Sequence, residues 1–193
     1  FLPTWSARND IQRKGFSHRL RSIYEHFGKV ENPGYVFIND KGQLLPEGRE
    51  IIECCKAYNL VLGTGHVSWQ ESLAFAQAAR DMGFKGIVIN HPLSAFIGAP
   101  LDALQRAAEL GAFVETCWNQ LAPGRMDSPE LVQKLRVIGL KQVIASTDYF
   151  RPYSPNPPEL LRMFLGMLYE GGLSKEEIKQ VACTNPARAM GLD

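Results

Sequence analysis

Four times between Leu60 and Thr147 a short apolar run gives way to a helix-like amphipathic stretch. The runs begin about 26 to 30 residues apart, the length of one βα unit. They occupy residues 60–65, 86–90, 112–117 and 142–147, and the helical patterns that follow cover 69–82, 100–110, 129–138 and 158–170. Continuous apolarity, without polar alternation, is what a strand covered on both faces requires, so the runs predict a parallel sheet clothed by helices. The punctuation agrees. Ser68 and Glu71 form a capping-box pattern, Asp127-Ser128-Pro129 opens another helix, and Gly83, Gly111, Gly139 and Gly171-Gly172 follow helix ends. Ser174 and Glu177 cap a last helix through Cys183, and Asn185 to Met190 forms a final turn.

Upstream, Tyr35–Ile38 and Gln43–Leu45 flank the turn signal Asn39-Asp40-Lys41-Gly42, which predicts a hairpin, and Pro46 opens a helix to about Tyr58. A helix over Ser17–Phe27 carries His18 and His26, read as surface histidines, with a lid over an active site as the alternative. Phe1-Leu2-Pro3-Thr4-Trp5 reads as the tail of a buried strand, and a chain starting at Phe1 reads as a segment of a longer protein. The class is α/β, as a single domain over residues 1–193, with four clear βα units and the end of a fifth. Eight such units make a (β/α)8 barrel of roughly 250 residues, whereas an open doubly wound sheet of five strands also fits the periodicity.

The net charge of +1 gives no reason to expect nucleic acid or an anionic membrane as partner. No apolar run approaches the roughly 20 residues that span a bilayer, and the charged first twenty residues are no secretory signal. Cys54, Cys55, Cys117 and Cys183 lack CxxC spacing and read as reduced thiols, which points to a cytoplasmic protein.

In parallel α/β folds, catalysis and binding collect at the carboxyl ends of the strands. His66, His91 and Asp148 all fall there, as do Glu115, Thr116 and Cys117. Imidazole nitrogens with a carboxylate suit Zn²⁺, Mn²⁺ or Fe²⁺, and an aspartate beside a bound water can take its proton. Pro92 is expected to hold His91 extended. Glu115 is a substrate-binding or supporting carboxylate, or merely a strand-end charge. Two other readings compete: Gly63-Thr64-Gly65-His66-Val67-Ser68 is one glycine short of a dinucleotide fingerprint, and Cys117 could act as a nucleophile beside a histidine.

The ordered set GTGHVS, VINHP, Phe113-Val114-Glu115, IASTD and TNPARAMGL resembles the amidohydrolase superfamily of metal-dependent hydrolases, over Leu2 to Leu192. With Pro3-Thr4 ending a strand and a DKGQLLPEGREI segment following, the order is most similar to an uncharacterised branch of that superfamily. The resemblance implies a (β/α)8 barrel with a mono- or binuclear metal centre. His66 then corresponds to the strand-5 histidine, His91 to the strand-6 histidine and Asp148 to the strand-8 aspartate. These would be metal ligands, with Asp148 also shuttling the proton of the attacking water; in some mononuclear members the strand-6 histidine contacts substrate instead. The superfamily's HxH pair does not occur here, nor does a matching strand-end lysine. The expectation is therefore the C-terminal two-thirds of a barrel, inactive in isolation, with the HxH pair upstream.

The implied activity is hydrolysis of an amide, ester, lactone or similar bond of a small molecule, with decarboxylation open; Zn is the expected cofactor, Mn or Fe the alternatives. Arg151 and Glu115 are the candidate substrate-binding residues. The alternative is a non-catalytic, truncated or degenerate barrel serving binding or assembly, and self-association into a homo-oligomer is left open.

Overall fold

A computed structural model of the chain describes residues 1–13, 34–122, 124–149 and 155–192. The helix expected over Ser17–Phe27, with His18 and His26, lies outside the described residues. Strands β1 (Leu62–Gly63), β2 (Ile87–Ile89), β3 (Phe113–Cys117) and β4 (Val143–Ser146) form one parallel sheet in the order β1-β2-β3-β4. The helices are α1 (Arg8–Gln12), α2 (Pro46–Ala57), α3 (Trp69–Asp81), α4 (Leu101–Glu109), α5 (Ser128–Ile138), α6 (Pro157–Glu170), α7 (Lys175–Lys179) and α8 (Asn185–Ala189). No helix among the described residues is long and apolar enough to cross a membrane.

The strand order advances without reversal, so the described strands contain no switch point of a doubly wound sheet. Right-handed crossovers that always step the same way leave their helices on one face. The register agrees: Leu62 pairs with Ile87, Ile89 with Val114, and Val114 with Val143, and these residues are buried. Leu62, Ile87 and Ile89 share a core with Ile52 and Phe75; Val114, Val143 and Ala145 share another with Leu131, Leu135, Phe164 and Leu168. The alternate positions, Gly63, Val88, Glu115, Cys117, Ile144 and Ser146, therefore belong to the opposite face.

Helix ends recur in one form. After α2 the Leu60 amide donates to Cys55 O (2.8 Å) and the Asn59 amide to Lys56 O (3.3 Å), with Asn59 at φ 50°. The same pattern of bonds follows α3 at Gly83, α4 at Gly111 and α6 at Gly172, each with positive φ. The cap after α2 also explains why β1 is shorter than the apolar run. Leu60 closes the helix and is 51% exposed, so the strand expected over 60–65 pairs only at Leu62–Gly63.

The hairpin is reduced to a single Ile38–Leu44 antiparallel bridge, because the Phe37 amide turns to Glu71 Oε1 (2.8 Å). Glu71 completes the capping box of α3 with Ser68 and is buried there, so one carboxylate anchors both the helix and the hairpin. The last helix departs from expectation too. It widens into a π turn at Gln180–Thr184 before Pro186, whose ring nitrogen has no proton to continue the ladder.

Leu2–Pro3 runs beside β1 without being a regular strand: the Leu2 amide donates to Gly63 O (2.8 Å) and the His66 amide to Pro3 O (3.1 Å). This close approach accounts for both glycines. A Cβ on Gly63 would sit 2.5 Å from the Phe1 ring, and one on Gly65 would sit 2.6 Å from Leu2 O with φ at +59°. Gly65→Ala should therefore cost about 1–3 kcal/mol of stability, read from urea unfolding; an unchanged midpoint would mean Leu2–Pro3 does not pack here in solution.

Candidate active site

The parallel register brings the ends of β1 to β4 to one edge, and His66, His91, Glu115 and Asp148 follow or close those strands. The rings of His66 and His91 meet edge to face with centroids 5.0 Å apart, and Phe96 packs against both at 4.8 and 5.7 Å. His66 Nδ1 lies 2.7 Å from Oδ2 of the fully buried Asp10 on α1. His91 is buried, and its Nδ1 has no hydrogen-bond partner among the described residues.

Glu115 binds the edge together. It accepts from Ser146 Oγ (2.7 Å), Asn90 Nδ2 (3.0 Å) and the His91 amide (3.2 Å), so it joins the ends of β2, β3 and β4. Asn90 in turn accepts from the Gly65 amide (2.9 Å). Asp148 accepts from Asn119 Nδ2 at 3.0 Å.

The backbone is unusual at two of these positions. The non-glycine residues with positive φ among those described are Asn59, His91 (28°) and Asp148 (46°). Asn59 closes a helix, whereas the other two are strand-end residues with no such task. The extended conformation expected for His91 ahead of Pro92 is thus corrected. Its amide is held by Glu115, and its carbonyl accepts from the Ser94 amide at 2.9 Å, which turns the chain immediately after β2.

Burial shifts the titrations in opposite directions. Desolvation pushes the His91 imidazole below its ordinary value, against the pull of the Asp148 carboxylate. Desolvation pushes the Asp148 carboxyl above its ordinary value, opposed by the His91 imidazole. The Cys117 thiol, fully buried beside Glu115 and Asp148, is held well above its ordinary value, which keeps it protonated and argues against the nucleophile reading. The dinucleotide reading also loses ground, because the buried Glu71 carboxylate already occupies the amino end of α3 where a pyrophosphate would sit.

Among the described residues, no three His, Cys, Asp or Glu side chains are gathered closely enough to enclose a metal ion. Arg151, expected to bind substrate, lies outside the described residues. Asp10, Asn90 and Asn119 were not singled out as site residues by the sequence patterns, which flag strand ends but not the side chains that reach them. A cavity of about 910 Å³ opens at the other end of the sheet, among Lys56, Leu60, Arg80, Phe84 and Arg188, and none of the candidate site residues lines it.

The fold and site define an α/β protein with a histidine–carboxylate cluster at the carboxyl edge of a parallel sheet. Residues 1–115 match a family described as a family of unknown function (DUF6282), and the chain belongs to that family. The matched region includes Asp10, His66, His91 and Glu115 and stops before Asp148. No curated protein matches the chain.

The His91 shift has a measurable consequence. Between its lowered folded value and the ordinary value of about 6.5, the unfolded chain binds a proton that the folded chain refuses, so stability falls as pH drops through that window. Asp148 acts in the opposite sense above its ordinary carboxyl value, because its folded form keeps a proton that the unfolded chain has released. An NMR titration should give His91 a midpoint below about 6.5, and His91→Asn should remove its part of the stability slope. A His91 midpoint at or above that value would contradict the buried geometry.

Proposed function

We propose that the protein is a metal-dependent hydrolase of the amidohydrolase type, built on a (β/α)8-type fold and acting on a small-molecule amide, ester, lactone or similar bond. The observation that carries this reading is a buried imidazole nitrogen without a partner, His91 Nδ1, beside a desolvated carboxylate at the catalytic edge of a parallel sheet. The left-handed backbone at His91 and Asp148 adds support, since strain of this kind clusters at functional sites.

The donor types, two imidazoles and a carboxylate, suit a divalent cation, although in this structure they are not drawn together around one point. His66, His91 and Asp148 would hold it, with zinc the best match to nitrogen and oxygen donors and manganese or iron the alternatives. When bound, such an ion lowers the pKa of a coordinated water to about 7 and polarises the scissile carbonyl. In this reading Asp148 would take the proton of the attacking water and return it to the leaving group. Asn119, bonded to one carboxylate oxygen of Asp148, orients that group at the strand end. Glu115 holds the His91 backbone in place and stands at the same edge as a candidate substrate contact.

A second reading, a non-catalytic protein serving binding or assembly, is favoured by the absence of an enclosing group of three ligands among the described residues. Metal content separates the two. The 193-residue chain purified without chelator should carry about one Zn, Mn or Fe, lost in His66→Ala. A folded chain without metal, before and after incubation with zinc, supports the second reading. With any substrate found in a panel of amides, esters and lactones, Asp148→Asn should lower kcat by about 10²- to 10⁴-fold; unchanged turnover would remove Asp148 from the proton transfer.

A further inference from the structure

The amino-terminal segment reaches the histidine cluster at several points. Leu2 and Pro3 bond the backbone around β1, and the His66 amide donates to Pro3 O at 3.1 Å. Asn9 Nδ2 donates to His66 O (3.1 Å) and to Phe96 O (3.3 Å), tying α1 to the backbone of His66 and to the residue that packs on its ring. The next residue, Asp10, places Oδ2 2.7 Å from His66 Nδ1. Two adjacent residues of α1 thus grip the same histidine, one by its main chain and one by its ring. Both are buried, Asp10 completely.

An ionised carboxylate has only acceptor oxygens, so a hydrogen bond to it requires a proton on the facing ring nitrogen. A neutral imidazole with its proton on Nδ1 carries its lone pair on Nε2. We infer that Asp10 is a positioning residue that fixes His66 as the Nδ1–H tautomer and so reserves Nε2 for a metal ion or a proton. No property of the sequence near His66 signals this: the two residues are 56 positions apart. In this account Asp10 acts through the ring it orients. A carboxylate behind a ligating histidine fixes the ring and raises its basicity, which typically changes metal affinity 10- to 100-fold. The tautomer assignment stands on its own geometry; its effect on metal affinity rests on the hydrolase reading above.

The test is a long-range ¹H–¹⁵N correlation spectrum of the chain with labelled histidine, recorded at about pH 8, well above the ordinary imidazole value of about 6.5. The chain has four histidines, and His66→Ala assigns the signal. The wild-type chain should show His66 protonated on Nδ1 and bare on Nε2. Asp10→Leu keeps roughly the same shape and removes the acceptor; it should lose this signature and bind zinc about 10- to 100-fold more weakly. A wild-type His66 protonated on Nε2, or on both nitrogens, overturns the inference. Retention of the wild-type tautomer in a folded Asp10→Leu chain overturns it as well, whatever happens to zinc. Should Asp10→Leu fail to fold, the wild-type spectrum alone decides. A wild-type chain that binds no zinc removes the metal reading, while the tautomer still decides the role of Asp10.

Discussion

Asn90 is the constraint from which the rest of the site follows. It stands just past β2, and its amide donates to Thr64 Oγ1 at 3.2 Å. Its side-chain oxygen takes the Gly65 amide, and its side-chain nitrogen gives to Glu115. One short amide therefore sets the levels of three strand ends against one another. Parallel ladders leave the last carbonyls and amides of each strand without partners, and buried backbone groups must find them elsewhere. Asn90, with an acceptor and two donors, meets that need where a purely apolar residue would leave the edge ragged. Glu115 extends the tie to Ser146, so β4 is locked to the same level. Once the edge is level, whatever side chains follow the strands must meet.

What meets there is electrostatically divided. His91 is buried and Asp148 half-buried, and desolvation disfavours the charged form of each, so neither behaves as it would in water. Their mutual attraction works against that penalty without cancelling it. Pairs of titratable groups whose surroundings displace them from their ordinary values are the raw material of acid–base chemistry. The neighbouring Cys117 is the contrasting case, because burial alone leaves it inert.

The repeated units were plain in the sequence because they depend on short-range physics. Capping at Ser68 and Ser174, glycine after α3 and α4, and continuous apolar runs are decided within a few residues of where they act. Strand ends bearing His66, His91 and Asp148 were legible for the same reason. The supporting shell was not. Asp10 meets His66 across 56 residues and Asn119 meets Asp148 across 29, and no periodicity encodes such pairings. The length of β1 is not legible locally, because a helix cap and a strand compete for Leu60, and the cap at Asn59 wins. The backbone turn at His91 is not legible either, because the proline rule is local, whereas the Glu115 carboxylate that captures its amide comes from another strand.

The left-handed backbone at His91 and Asp148 also bears on how this site would survive optimisation. Glycine adopts those dihedrals freely, and asparagine does so more readily than most residues. A search that scored sequences on this backbone for stability alone would therefore drift toward small, permissive residues at both positions. It would relieve the strain and dispose of a buried imidazole nitrogen that has no partner. The redesigned chain would melt higher and keep every helix cap, yet its strand ends would have nothing left to offer a ligand. Retention of the less comfortable residues is thus a cost in stability, of the kind expected where stability and activity trade against each other.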